Sequence, residues 1–205
     1  MAIEFPDPRK SLGKAAVYNL FVRLIGADKG VEDFVRQYLK PRKSDRILDI
    51  GCGTAQILNF LHDVEYVGLD MSQDYIDSAK MQFGHRASFH CQTVSEFGQS
   101  ALGEFDVAIG YGVLHHLTDE EATEFFRVSS RTLKPGGRLL TADPCYISGQ
   151  SLYAKILTSL DRGNYVRRHE EYVELAHTVF PNVTAAIRRG RMPFPFTNTI
   201  LEATG

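Results

Sequence analysis

Apolar residues fall along this chain in two alternating rhythms. Five compact runs, Arg46–Ile50, Tyr66–Asp70, Ser88–Gln92, Asp106–Gly110 and Arg138–Ala142, have the length of buried strands. Two more, Val183–Arg188 and Thr197–Ala203, close the chain. Between the runs, apolar positions recur every three or four residues, the spacing that lines one face of a helix. Val31, Phe34, Val35, Tyr38 and Leu39 make one stripe, and Tyr75, Ile76, Ala79 and Phe83 make a second. Ala122, Phe125, Phe126 and Leu133 make a third, and a further helix is expected from about Thr54 to Leu61.

Helix ends are legible too. Ser72 is placed to cap the second stripe. Thr118 and Glu121 stand at the spacing of a capping box, which satisfies two free amides reciprocally. Lys134-Pro135-Gly136-Gly137 is expected to stop that helix, because proline cannot continue it and glycine accepts the turn.

Strands alternating with helices imply right-handed βαβ units and a parallel sheet covered on both faces. The connection from Gly190 to Phe196 is too short for a crossover helix, so the last two strands should pair as an antiparallel hairpin at a sheet edge. With 205 residues and no repeat or linker, the chain reads as a single domain, 1–205.

Composition narrows the function. Lys and Arg total 23 against 25 Asp and Glu, a net charge of −2, which gives no electrostatic case for nucleic acid or an anionic membrane. No apolar run is long enough to span a bilayer, and "MAIEFPDPRKSLGK" has no secretory pattern. Cys52, Cys91 and Cys145 have neither metal-ligand spacing nor the look of a disulfide framework, so reduced thiols in the cytoplasm and no metal are expected.

Chemistry concentrates in "ILDIGCGTA", Ile47 to Ala55. Gly51 and Gly53 let the backbone turn tightly and approach a ligand closely. A dinucleotide fingerprint would place a third glycine where Gln56 stands, and a phosphate-binding P-loop would need a Gly-Lys-Ser/Thr ending. Asp49 at the strand tip repels a pyrophosphate and suits an ammonium. Asp70, ending the second strand, can accept both hydroxyls of a ribose. A nicotinamide-dependent reductase of the short-chain type would also want Tyr-x-x-x-Lys, which does not occur.

"LDIGCGTA", "YVGLDMS", "FDVAIGYGVLHHL" and "LKPGGRLLTADP", in this order, resemble the class I S-adenosylmethionine-dependent methyltransferases over Val31 to Pro144. The resemblance implies an α/β, Rossmann-like, seven-stranded, mostly parallel sheet of order 3-2-1-4-5-7-6, strand 7 antiparallel, with helices on both faces. S-adenosylmethionine is the cofactor it implies. By position, Asp49, Gly51, Cys52 and Gly53 would line the methionine end, and Asp70 the ribose. Met71 would lie against the adenine unless it is ordinary core. Where the family often has an aspartate for the adenine amino group, this chain has Gln92, Thr93 and Val94, with Thr93 the substitute. Gly110 and Tyr111 would face the methionine moiety and the methyl.

His115 and His116 titrate near neutrality and follow the fourth strand, so either is a candidate base, with Tyr111 beside them. The blander reading makes one a backbone partner and the other a pocket wall. There is no Asn/Asp-Pro-Pro-aromatic segment, which the family uses on exocyclic amines, and this lowers nucleic acid as substrate. "VRRH" and "IRRGR" are basic clusters that read first as solvated faces. Two apolar helical stripes lie outside the common core: Val17, Leu20, Phe21, Leu24 and Ile25 in a cap segment 1–28, and Leu152, Tyr153, Ile156, Leu157 and Leu160 in an insertion 145–165. Over the strand ends they would form a lid, with Tyr18, Tyr146 and Tyr153 near the acceptor.

The expected function is therefore methyl transfer to a small molecule, oxygen or carbon favoured over nitrogen. A non-catalytic module that only binds the cofactor is the alternative, and an NAD(P)-dependent reductase a weaker one.

Overall fold

The structure, a computed structural model, describes residues 27–97, 104–159, 163–190 and 196–205. Tyr18, the apolar stripe of 17–25, Leu160 and Arg191 lie outside the described residues.

Seven strands form one sheet in the order β3-β2-β1-β4-β5-β7-β6. They are β1 (Arg46–Ile50), β2 (Glu65–Asp70), β3 (Ala87–Cys91), β4 (Phe105–Tyr111), β5 (Leu133–Pro144), β6 (Asn182–Arg189) and β7 (Thr197–Thr204). The first five pair in parallel, and β7 lies antiparallel between β5 and β6. Sequence order reverses between β1 and β4, which opens a crevice beyond the carboxyl ends of those strands.

The helices are α1 (Ala27–Phe34), α2 (Gln73–Phe83), α3 (Val94–Phe97), α4 (Asp119–Thr132), α5 (Leu152–Ser159) and α6 (His169–His177). Alternate residues of each strand feed opposite faces. Ile47 and Ile109 pack with Phe34, Leu39, Ile76 and Phe83 on one side, while Leu48 and Ala108 pack with Phe125, Phe126, Tyr172 and Phe180 on the other. Two buried layers on one sheet explain why the central strands β1 and β4 are buried along nearly their whole length rather than alternating.

The expected caps are present. Ser72 accepts from the Tyr75 amide, and Thr118 and Glu121 make a complete capping box. Three expectations need correction. The stretch after the glycine loop is a 3-10 helix, Gln56–Phe60, rather than an α-helix from Thr54 to Leu61. At about 2.0 Å per residue against 1.5 Å, the tighter helix lets a short connection reach back to β2. The helix α4 stops at Thr132, so Leu133 and the Lys-Pro-Gly-Gly stretch belong to β5, which bulges between its pairings with Phe105 and Val107. Third, the stripe of 31–39 is not one regular helix: α1 continues as a π-helix over Val35–Leu39.

Candidate functional site

At the end of β1 the chain bends through Gly51 (φ +76°) and Gly53 (φ +53°). The amides of Gly51 and Cys52 both donate to Leu69 O at 2.8 Å, and this pins the loop to β2. A Cβ on Gly51 would fall 2.5 Å from Val113 Cγ2, whereas one on Gly53 would meet nothing within 4 Å. Gly51 is thus required by the loop after β4 that leans on it, and open space lies over Gly53. Ala55 is also left-handed (φ 55°), at a cost of about 1–2 kcal/mol that glycine would avoid.

Two carboxylates flank this turn. Asp70 accepts from Gly53 N (2.9 Å) and Ser72 N (2.8 Å), one bond on each oxygen, leaving lone pairs for two hydroxyls. Asp49 is buried; the Tyr66 hydroxyl donates to its Oδ2, and among the described residues its Oδ1 has no hydrogen-bond partner. Burial pushes the Asp49 carboxyl up to about 7; the Tyr66 bond opposes this and the nearby Asp70 charge adds to it. A buried carboxylate oxygen lacking a donor at the strand tip just before the glycine turn suits a ligand ammonium and repels a phosphate. The residues present fit S-adenosylmethionine: Asp49 would hold the amino group and Asp70 the ribose.

The remaining donor-side candidates separate. The side chain of Cys52 turns away against β2, since a Cβ on Gly68 would lie 2.8 Å from its Sγ. Burial, with Asp49 and Asp70 close by, holds that thiol protonated far above its usual range. Met71 is 75% exposed beyond β2, which removes the ordinary-core reading. Thr93 caps α3, its hydroxyl and amide both donating to Glu96 Oε2 at 2.8 Å, which lowers the Glu96 carboxyl below its usual range. Val94 packs half-buried against the core. Gly110 has a packing cause: a Cβ there would sit 2.7 Å from Phe125 Cζ. Tyr111 lies edge-on to Phe34, ring centroids 5.2 Å apart, beneath α1.

Beyond β4 and β5 the structure joins His115 to a residue the sequence reading left out. His115 is 4% exposed, its Nδ1 lies 2.9 Å from Asp143 Oδ1, and its amide approaches the same oxygen at 3.3 Å. A carboxylate facing Nδ1 favours the form with hydrogen on that nitrogen and fixes the orientation of the ring. His116 is exposed, with its ring centroid 4.1 Å from that of His115. Gly163 closes over His115; a Cβ there would fall 2.1 Å from the ring.

Arg167 holds this turn in place. Nη1 donates to Leu114 O (2.8 Å), Nη2 to Leu117 O (2.6 Å), and Nε to Asp119 Oδ1 (2.9 Å). The Tyr165 amide adds a bond to His115 O at 2.9 Å. Tyr146 is tied by its backbone to Arg167 and His169, and Tyr153 stands 45% exposed on α5.

Sequence reasoning missed Tyr66, Val113, Asp143, Gly163 and Arg167. Asp143 carried a usable signal, an acid ending a strand as Asp49 and Asp70 do. Tyr66 and Arg167 act through partners 17 and about 50 residues away, which no local pattern encodes.

Residues 47–137 match the family model described as "Methyltransferase domain". The chain is 30% identical over 110 residues to the 27-O-demethylrifamycin SV methyltransferase of Amycolatopsis mediterranei, covering 50% of this chain and 39% of that protein. It is 33% identical over 107 residues to a mouse (Mus musculus) tRNA (carboxymethyluridine(34)-5-O)-methyltransferase, covering 51% of this chain and 15% of that one. The match therefore spans less than half of either relative's length. In fold, the chain is similar to a SAM-dependent methyltransferase from Archaeoglobus fulgidus, with TM-score 0.74 and 18% identity, over 92% of this chain and 99% of that one. Sheet order, glycine turn, paired strand-tip carboxylates and domain match converge: residues 47–137 match a methyltransferase domain, and the chain has the fold of the S-adenosylmethionine-dependent methyltransferases.

Proposed function

We propose that the protein transfers a methyl group from S-adenosylmethionine to an oxygen of a small-molecule acceptor, with His115 as the base. The His115–Asp143 pair at the ends of β4 and β5 carries this reading. Bound S-adenosylmethionine supplies an already activated methyl group. The chain then has to align the acceptor, exclude water and take one proton. Asp143 fixes the His115 ring and stabilises it when charged; His116 lies exposed beside it, its ring tilted 40° from that of His115. An oxygen acceptor needs such a base more than a neutral amine does, and the printed names of both relatives above specify oxygen. A net charge of −2 and the missing Asn/Asp-Pro-Pro segment favour a small molecule over RNA. Among the described residues no helix is long and apolar enough to cross a membrane. The three cysteines are unbonded, which fits a reducing cytoplasm.

The acceptor side is completed by α5, where Leu152, Tyr153 and Ile156 are 75%, 45% and 47% exposed. With Tyr146, they line the acceptor side in this reading.

The test is turnover of a metabolite panel with S-adenosylmethionine, followed by His115→Gln. A fall in kcat of about 10²–10⁴, with unchanged cofactor affinity, is expected for a lost base. One observation favours a second reading, a module that binds the cofactor without catalysis: His115 is covered by Gly163. Tight cofactor binding with no turnover on any acceptor would select it.

A further inference from the structure

Asp49 and Tyr66 form a buried pair under the glycine turn. Strand register sets Tyr66 beside Ile47 and Gly68 beside Asp49, so the tyrosine and the aspartate leave the sheet on the same face. Tyr66 occupies Oδ2, and Oδ1 has no hydrogen-bond partner among the described residues. From β2, Tyr66 and Asp70 act on the carboxylate, and Cys52 of the loop lies within the field of both acids. The other elements on that face are apolar where they pack: Phe34 and Val35 from α1 and the adjoining π-helix, and Ile109 of β4 at the paired position. Among the described residues, no cation is among the groups that shift Asp49.

We propose that Tyr66 is a positioning residue for the amino-acid end of S-adenosylmethionine: by taking Oδ2 of Asp49 it leaves Oδ1 as the acceptor for the ligand's ammonium. The reading rests on the cofactor assignment and is independent of His115 and of any acceptor. A consequence follows for proton linkage. Burial keeps Asp49 partly protonated up to about pH 7, so an arriving ammonium at lower pH must displace a proton. Tyr66, by bonding the ionised form, makes that displacement easier.

The experiment is calorimetric titration between pH 5.5 and 7.5 with three probes. S-adenosylmethionine and S-adenosylhomocysteine carry the ammonium; 5′-methylthioadenosine lacks the whole amino-acid arm. In the wild type, affinity for the first two should rise with pH, by about tenfold per pH unit at the acid end, and flatten near 7, with methylthioadenosine flat throughout. Tyr66→Phe should weaken the two ammonium-bearing probes by about tenfold at pH 6.5, displace their curves to higher pH and spare methylthioadenosine. Asp49→Asn should abolish the pH dependence and still bind methylthioadenosine. Equal weakening of all three probes by Tyr66→Phe would reduce the tyrosine to a packing role and overturn the proposal. So would pH curves that coincide with those of the wild type. If no probe binds the folded wild type, the cofactor assignment falls and the proposal falls with it.

Discussion

A single carboxyl at the tip of β1 links cofactor selection to stability. Asp49 ionises near its usual 3.8 in the unfolded chain and near 7 when folded. The folded state therefore holds this proton more tightly, and the stability it confers is present at low pH and lost as pH rises from about 4 through about 7. The full span corresponds to roughly 4 kcal/mol in the ligand-free protein. Asp49→Asn removes the penalty, so urea denaturation should find the variant gaining on the wild type between pH 5 and pH 8. A constant difference across that range would mean that Asp49 is ionised throughout. Sequence placed Asp49 at the strand tip, and its chemistry, an acid that prefers an ammonium to a phosphate, was legible there. The elevated proton affinity was not legible, because it comes from enclosure by β2 and the loop, seen only when residues 17 apart meet.

At the scale of elements, connections matter more than strands. All seven expected strands are present within a residue or two, apart from the longer β5, because short apolar runs bounded by turn residues mark strands. Connections depend on distant partners. The turn Leu114–His116 has three residues and no side-chain cap, yet Arg167 grips the carbonyls of Leu114 and Leu117 from 53 and 50 residues away. A guanidinium has the forked donors to reach both carbonyls and Asp119 together; a lysine has the charge without the fork. Arg167→Lys should therefore leave at least one buried carbonyl unpaired, costing about 1–3 kcal/mol. Denaturant unfolding would measure that loss. Hydrogen exchange should quicken first at the amides of His116 and Leu117, which close the turn on Val113 O and Leu114 O. Unaltered exchange there, with stability lost, would assign Arg167 to α4 through Asp119 instead.

Across the whole molecule, the sheet separates two tasks. Its centre, β2-β1-β4, was nearly complete in the sequence as donor-side motifs, since a cofactor common to a family imposes the same turn and the same acids. The segments outside the common core carry no such motif; there periodicity reveals only that a helix is amphipathic. The helix α5 illustrates the limit: its spacing predicted a helix, which forms, but Leu152, Tyr153 and Ile156 face outward and Ala154 and Thr158 face in. Apolar residues exposed together on one helix face mark a contact surface. The described chain begins at α1, whose Gly30 lies against Tyr111 at the end of β4. Deleting Met1 to Gly26 should therefore raise KM for the acceptor and increase binding of an apolar dye. Affinity for methylthioadenosine, which relies on the β1 and β2 tips, should change little. A truncated protein with the acceptor KM and dye binding of the full chain would leave α5 uncovered by design and move the specificity of this enzyme onto the loops after β4 and β5 alone.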